Sequence, residues 1–375
     1  MFSGFWNDLP AQSIGLSPMD GVTDHPYRFI QKKYSNPDVM MTEFTSAEGV
    51  SRNALKLFRD FRFDETQRPI VAQIFGNEPR AFYITAVILC YLGFDGIDIN
   101  MGCPAKSVRQ HGSGAALILT PDLAQELVRQ TRQGIHDFVN GLELESIPEL
   151  KQKTRTMIME RHRGLPPEYQ ARREIPVSVK TRVGFDAPVI KDWIETLLEV
   201  EPAVISVHGR TLKQLYSGSA NWDLIGQAAE VAKNTPTKVF GNGDVRTPEQ
   251  AQEKFAHYGV DGILVGRATF GDPWLIGEMR RYRDSDWSAD FEYREPSVEN
   301  RINIAIEHSR IYAETYPNEH FLPMRKHLAW YIKGFPFASE YRVRLMMADS
   351  AEEVESVLEE FRGKLNTGTP NEAHQ

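Results

Sequence analysis

Cysteine is almost missing from this chain: Cys90 and Cys103 are the only two in 375 residues. That excludes a disulfide framework and points to a reducing compartment. No run reaches the 18 or so apolar residues of a membrane span. The opening residues, MFSGFWNDLPAQ, lack the basic flank and apolar core of a signal peptide, so a cytoplasmic protein is expected. No second cysteine or suitably spaced histidine accompanies Cys103, which speaks against a metal site. An excess of positive charge is lacking too, since the net charge is −8. Much of that sits at the C-terminus, where the residues from Met346 onward carry −5. Local patches decide nucleic-acid binding, so the balance neither supports nor excludes RNA.

What is present is a rhythm of short apolar runs and amphipathic stretches, in a composition of 41% apolar and 25% charged residues. Eight runs read as strands buried on both faces: 13–18, 39–43, 70–75, 96–100, 177–182, 204–208, 238–241 and 262–266. Helical patterning separates most of them, at 80–92, 122–135, 189–199, 222–232 and 248–257. Eight such units in roughly 265 residues predict an α/β fold of the TIM (β/α)8 type. A doubly wound sheet would carry G-x-G-x-x-G after its first strand, where this chain has LSPMDGVTD.

Two segments exceed a minimal barrel. A charged insertion at about 136–174 precedes the fifth strand, and its stretch from Glu149 to Glu174 carries net +3. It reads as a helical addition, either a solvated decoration or a contact for a partner. After residue 283 a polar linker (284–296) leads to a helical domain (297–365) and a tail (366–375), giving a barrel of 1–283 with an all-helical C-terminal domain.

Barrel chemistry collects at the C-terminal ends of strands. Those positions hold Pro18 and Met19, Glu43, Gln73, Asn100 and Cys103, Lys180 and Arg182, His208 and Arg210, Asn242, Gly243 and Asp244, then Gly266 and Arg267. The small-residue turns GNGD and VGRA, the second followed by an expected helix start, match the usual barrel phosphate site. A sugar phosphate, a nucleotide or flavin mononucleotide would each suit it. Gln73 and Lys180 suit a flavin, which needs amide partners along its pyrimidine edge and a cation near N1. A Schiff-base role for Lys180 is the alternative. Cys90 lies in an apolar helix and reads as inert core. Cys103 sits on an exposed loop where nothing depresses its pKa, so it is expected to be a thiol at neutral pH and able to donate a proton.

Taken together, SPMDGVTDHPYR, VAQIFG, NMGCPAK, VSVKTRVG, ISVHGRTLKQLYSGSANW, GNGD, ILVGRATFGDPW and MRKHLAWYIKG resemble the flavin-dependent tRNA-dihydrouridine synthases, most closely the bacterial B-type branch. The resemblance implies that FMN is held by Pro18, Met19, Gln73, Lys180, His208, Asn242, Gly243, Asp244, Gly266 and Arg267. It implies Cys103 as general acid, with Asn100 on the same loop, and NADPH (or NADH) as reductant. The substrate is then a D-loop uridine of tRNA, whose C5=C6 bond takes hydride at C6 and a proton at C5. Flipping the base from its stack exposes it to the flavin. Lys106, Arg210, Lys326 and Lys333 are expected on the tRNA side. Lys326 and Lys333, seven apart on one helix, would lie roughly 20° apart around its axis. The expected partners are tRNA and NAD(P)H, with no membrane and the chain acting as a monomer. A flavin barrel acting on a free pyrimidine or other small enone is the same-fold alternative. A non-catalytic RNA-binding barrel is less consistent with Cys103, Lys180 and both phosphate turns.

Overall fold

The computed structural model describes residues 2–105, 108, 111–215 and 217–367. Within them the expected barrel is present. Its strands are β1 (Ser13–Leu16), β2 (Met40–Met41), β3 (Thr45–Ser46), β4 (Ile70–Phe75), β5 (Gly96–Met101), β6 (Val177–Gly184), β7 (Val204–Thr211), β8 (Lys238–Asn242) and β9 (Gly262–Val265). Every pairing is parallel, and the sheet closes because β1 pairs with both β9 (Ser13↔Gly262) and β2 (Leu16↔Met40). β2 then pairs with β4 at Met40↔Ile70. This is an eight-staved TIM barrel whose second stave is broken in two, with β3 joining β4 at Thr45↔Ile74.

The break corrects the expected continuous strand at 39–43. The hydroxyl of Thr42 accepts the Gln73 N–H at 3.0 Å, so a side chain takes the place of a ladder carbonyl. Regular pairing stops there and resumes at Thr45.

Helices follow the strands with recognisable starts. Asn221 caps the helix Trp222–Ala232 by accepting from Leu224 N, and Thr247 caps Pro248–Tyr258 by accepting from Gln250 N. Proline stands at the first position of Pro79–Tyr91, Pro121–Val139 and Pro248–Tyr258, where no N–H is needed. Pro79–Tyr91 is buried all round from Ala81 onward, because the helices Pro121–Val139 and Ala47–Ser51 flank it and the insertion adds further contact.

That insertion forms a helix at Gln152–Arg163 and a short turn at Pro167–Gln170. Three of its arginines engage the barrel. Arg161 donates to Phe58 O, Arg172 to Tyr91 Oη at 3.1 Å, and Arg173 reaches Phe94 O and Asp95. Asp95, just before β5, also accepts from Arg68 at 3.0 Å and from Ile70 N at 2.8 Å. Arg68 in turn lies over the Tyr169 ring. This cluster sits at the N-terminal end of β5, opposite the end that carries Cys103.

Residues 2–20 and 37–266 form one compact unit, and residues 21–36 with 267–367 form a second. The division therefore falls at residue 266, before the position 283 expected from sequence. The helix His25–Ser35 belongs with the later helices: Tyr27 hydrogen-bonds Thr269, and Ser35 Oγ accepts from Gly277 N at 3.1 Å. The segment 284–296 is irregular but packed, with Phe291 stacked on Tyr282 and Tyr293 donating to Asp272.

The second unit continues through Val298–Thr315, Leu322–Tyr331, Ala338–Leu345 and Ala351–Thr367. Ile302, Met324, Leu328, Ile332, Leu345, Val354, Leu358 and Phe361 form its core. The helix bearing Lys326 ends at Tyr331, so Lys333 lies beyond it and the shared-face expectation fails. Gly334, at φ +92, turns the chain out of the helix. The tail beyond Thr367 lies outside the described residues.

Asp95→Ala would leave Arg68 and Arg173 without their shared, largely buried carboxylate. Urea denaturation is expected to show a loss of about 3 kcal/mol. A loss below about 1 kcal/mol would make the cluster an ordinary surface pair.

Candidate active site

Because the strands alternate, residues two apart on a stave share a face. β5 thus brings Asp98 and Asn100 to one side, and β6 does the same with Ser178, Lys180 and Arg182. Register then sets neighbours: Gln73↔Asp98, Asp98↔Ser178, Asn100↔Lys180, Arg182↔His208 and His208↔Asn242. The residues singled out in Gln73, Asn100, Lys180, His208 and Asn242 therefore meet in the barrel mouth.

Their polar atoms form two chains. In one, Lys180 Nζ donates to Asn242 Oδ1 at 3.1 Å, and Asn242 Nδ2 donates to Leu264 O at 2.7 Å. In the other, Asn100 Nδ2 donates to Gln73 Oε1 at 2.9 Å. Gln73 Nε2 donates to Asp98 at 2.7 Å, and Ser178 Oγ to the same carboxylate at 2.6 Å. Sequence reasoning passed over Asp98 and Ser178. The available signal was a carboxylate in an otherwise apolar strand, FDGIDIN.

Asn100 holds the cysteine loop. Its Oδ1 accepts from Gly102 N at 3.1 Å and Cys103 N at 2.8 Å. Arg182 Nε fixes the other side by donating to Gly102 O at 2.6 Å, and its Nη1 reaches Thr211 O. Cys103 is buried, not exposed as the loop position suggested, at 6%. The close packing comes from Gly114, at φ +61, where a Cβ would lie 3.0 Å from Cys103 O. Lys106 lies outside the described residues.

Burial sets the protonation states. It pushes the Cys103 thiol above its ordinary value, with Asp20 adding to the rise and Arg182 and Lys180 opposing it. Burial also lowers Lys180 to about 8, helped by Arg182. The Asp98 carboxyl is raised by burial to about 6, against hydrogen bonds from Ser178 and Gln73 and the pull of Lys180.

The far side of the mouth is formed by the turns after β8 and β9. Gly243, at φ +129, leaves a Cβ position only 2.6 Å from Ala220 Cβ, so no side chain fits there. Asp244 accepts from Arg210 at 2.5 Å and from Ala220 N at 2.8 Å. Arg210 is buried, also facing His208 Nε2 at 3.3 Å, which places it in the pocket wall and not on an outer surface. Half-buried Met19 approaches Gly266, where a Cβ would stand 3.3 Å from its sulfur, and Pro18 precedes it at the end of β1. Arg267, Lys326 and Lys333 belong to the second unit. Arg267 opens a three-residue turn, Arg267–Thr269, and the regular helix starts only at Leu275, later than expected. Lys326 donates to Gly21 O, and Lys333 is exposed.

This geometry accompanies clear sequence kinship. The dihydrouridine synthase (Dus) family model matches residues 15–157 and 167–366. The chain belongs to the dihydrouridine synthase family. The gap in the match covers only part of the insertion. Similar curated relatives include a probable tRNA-dihydrouridine synthase of Staphylococcus aureus (strain MRSA252), 30% identical over 98% of both chains. Probable tRNA-dihydrouridine synthase 2 of Bacillus subtilis (strain 168) is 30% identical over 98% of this chain and 99% of its own. Among solved structures, DHODH from Eimeria tenella in complex with ferulenol covers 64% of this chain and 63% of its own, with TM-score 0.40 and 12% identity. As a dihydrouridine synthase, the protein is an oxidoreductase.

The residues of this family member fit a flavin on their own chemistry. Lys180 directs one N–H to Asn242, and an electron-rich ligand beside it would raise its lowered pKa. Because the folded-state pKa lies below the unfolded one, charged Lys180 costs stability below pH 8, and that cost fades as pH rises from about 8 to 10.5. Flavin-free protein should therefore gain stability across that window relative to Lys180→Met in paired thermal melts. Parallel curves for the two proteins would remove Lys180 as a desolvated cation.

Proposed function

We propose that this dihydrouridine synthase reduces a D-loop uridine of tRNA, using FMN and NAD(P)H. The observation that carries the reading is Cys103, a buried thiol pinned by Asn100 and Arg182 in the same barrel mouth as Lys180. Lys180, Gln73 and Asn242 would hold the flavin ring. Gly243 and Gly266, with Pro18, Met19 and His208, would frame the remainder of FMN. When bound and reduced, FMN supplies hydride to C6 of uracil.

Charge then develops along C5–C4–O4, and C5 needs a proton. Cys103 can give it because burial keeps its thiol protonated at neutral pH, as a general acid requires. Arg210 and Asp244 act together: their ion pair fixes the wall beside His208 and the segment reaching Ala220. From that wall Asp244 would act toward FMN and Arg210 toward tRNA. The second, helical unit would contact tRNA through exposed lysines such as Lys333, with Lys326 tied to Gly21 O.

The purified protein is expected to be yellow, and to form dihydrouridine in unmodified tRNA when given NADPH. Cys103→Ala should keep its flavin and oxidise NADPH, yet lose uridine reduction by roughly 100-fold or more. Unchanged dihydrouridine yield, measured by mass spectrometry of digested tRNA, would remove Cys103 as the acid. Lys333→Glu should weaken tRNA binding and lower its salt slope by about one contact. Identical salt titrations would make Lys333 a solvated side chain only.

A further inference from the structure

Asp98 has no part in the proton or ligand chemistry above, although it is fully buried at the centre of the site. An ionised carboxylate only accepts hydrogen bonds, whereas each neighbouring amide has a donor end and an acceptor end. Asp98 therefore decides which way Gln73 faces. With Nε2 given to Asp98 at 2.7 Å, Gln73 presents Oε1 to Asn100. Asn100 must then offer Nδ2 to Gln73, leaving its Oδ1 for the N–H groups of Gly102 and Cys103. A reversed Asn100 would aim its NH2 group at those two N–H groups, donor against donor.

We propose that Asp98 is a positioning residue that orders the Cys103 loop through Gln73 and Asn100. Ser178 braces the other carboxylate oxygen at 2.6 Å, so the polarity of the whole chain starts from one fixed acceptor. Each link is a side-chain hydrogen bond within the barrel unit, and the loop receives the last two. The arrangement explains a carboxylate placed where strand burial otherwise selects apolar residues. Its consequence for turnover rests on Cys103 as the acid, while the ordering itself does not.

The test reads loop order directly. In flavin-free protein, Cys103 of Asp98→Ala should react with iodoacetamide roughly tenfold faster than in the parent, under conditions where both remain folded. Cys90, about as buried in its helix as Cys103 is in its loop, reports any general loosening by its own alkylation in the same sample. Asp98→Asn retains an oxygen that can face Gln73, so it should restore most of the protection. With tRNA and NADPH, Asp98→Ala should lose roughly 10- to 100-fold in kcat for uridine reduction, with little change in KM. Adding Asn100→Ala to Asp98→Ala should cost little more than either alone, because the two belong to one chain. If Asp98→Ala does not fold, Asp98→Leu fills the space while still removing the acceptor. Folded variants whose Cys103 alkylation stays within about twofold of the parent would overturn the proposal. Faster alkylation without any uridine reduction by the parent would leave the ordering intact and count against the enzymatic reading instead.

Discussion

Polar side chains withdrawn from water in the barrel mouth must satisfy one another, and the geometry of the site follows from that constraint. A buried donor or acceptor without a partner costs about 1–3 kcal/mol, so a cluster of them tolerates few arrangements. Here the staves supply two ladders of side chains: Ser178, Asp98, Gln73 and Asn100 in one, Lys180 and Asn242 in the other. The register Asn100↔Lys180 sets them side by side. Each ladder ends on backbone, the first at the cysteine loop and the second at Leu264 O. The loop is thus an extension of the barrel interior. It borrows rigidity from the strands through the bonds to Gly102 and Cys103.

The same withdrawal from water explains why the site disfavours both signs of charge. Burial lowers Lys180 and raises Asp98 and Cys103, moving each toward neutrality. For the thiol this is useful. A reactive thiolate needs an electropositive, partly open setting, and here burial outweighs Arg182 and Lys180. What remains is a proton donor. Lys180, by contrast, keeps a pKa of about 8 and so stays mostly charged at neutral pH, and a ligand with electron density near its ammonium would hold it there. One environment thereby gives an acid and a conditional cation, which reductive chemistry on a conjugated ring requires of different positions.

Much of this was legible in the chain. Gln73, Asn100, Lys180 and Asn242 could be picked out because they are polar residues at the ends of apolar strands, where a barrel collects function. Asp98 escaped because it lies inside a strand, and a carboxylate there means little until its partners on two neighbouring staves are known. The broken second stave escaped for a similar reason, since it depends on a Thr42 hydroxyl meeting an N–H thirty-one residues later. The helix His25–Ser35 read as part of the barrel because its partners at Thr269 and Pro273 are more than 230 residues away. The end of the helix at Tyr331 was signalled by Gly334 and Pro336 just beyond it. Apolar periodicity through Ile332 masked that signal, because Ile332 is buried in the core without being helical.

Counting charges proved a poor guide to where a polyanion could bind. The insertion's net +3 suggested a basic surface, yet Arg161, Arg172 and Arg173 turn inward to carbonyls and carboxylates of the barrel unit. In the helical unit Arg310, Arg325, Arg344 and Arg362 are each held by an acidic neighbour. An arginine so held contributes little field to its surroundings, because its partner cancels it within a few ångströms. Lysines among the exposed cations include Lys151, Lys153 and Lys333. Lysine acts on phosphate as a point charge, without the bidentate geometry of arginine. Electrostatics from these residues would therefore draw RNA to the protein without dictating its register.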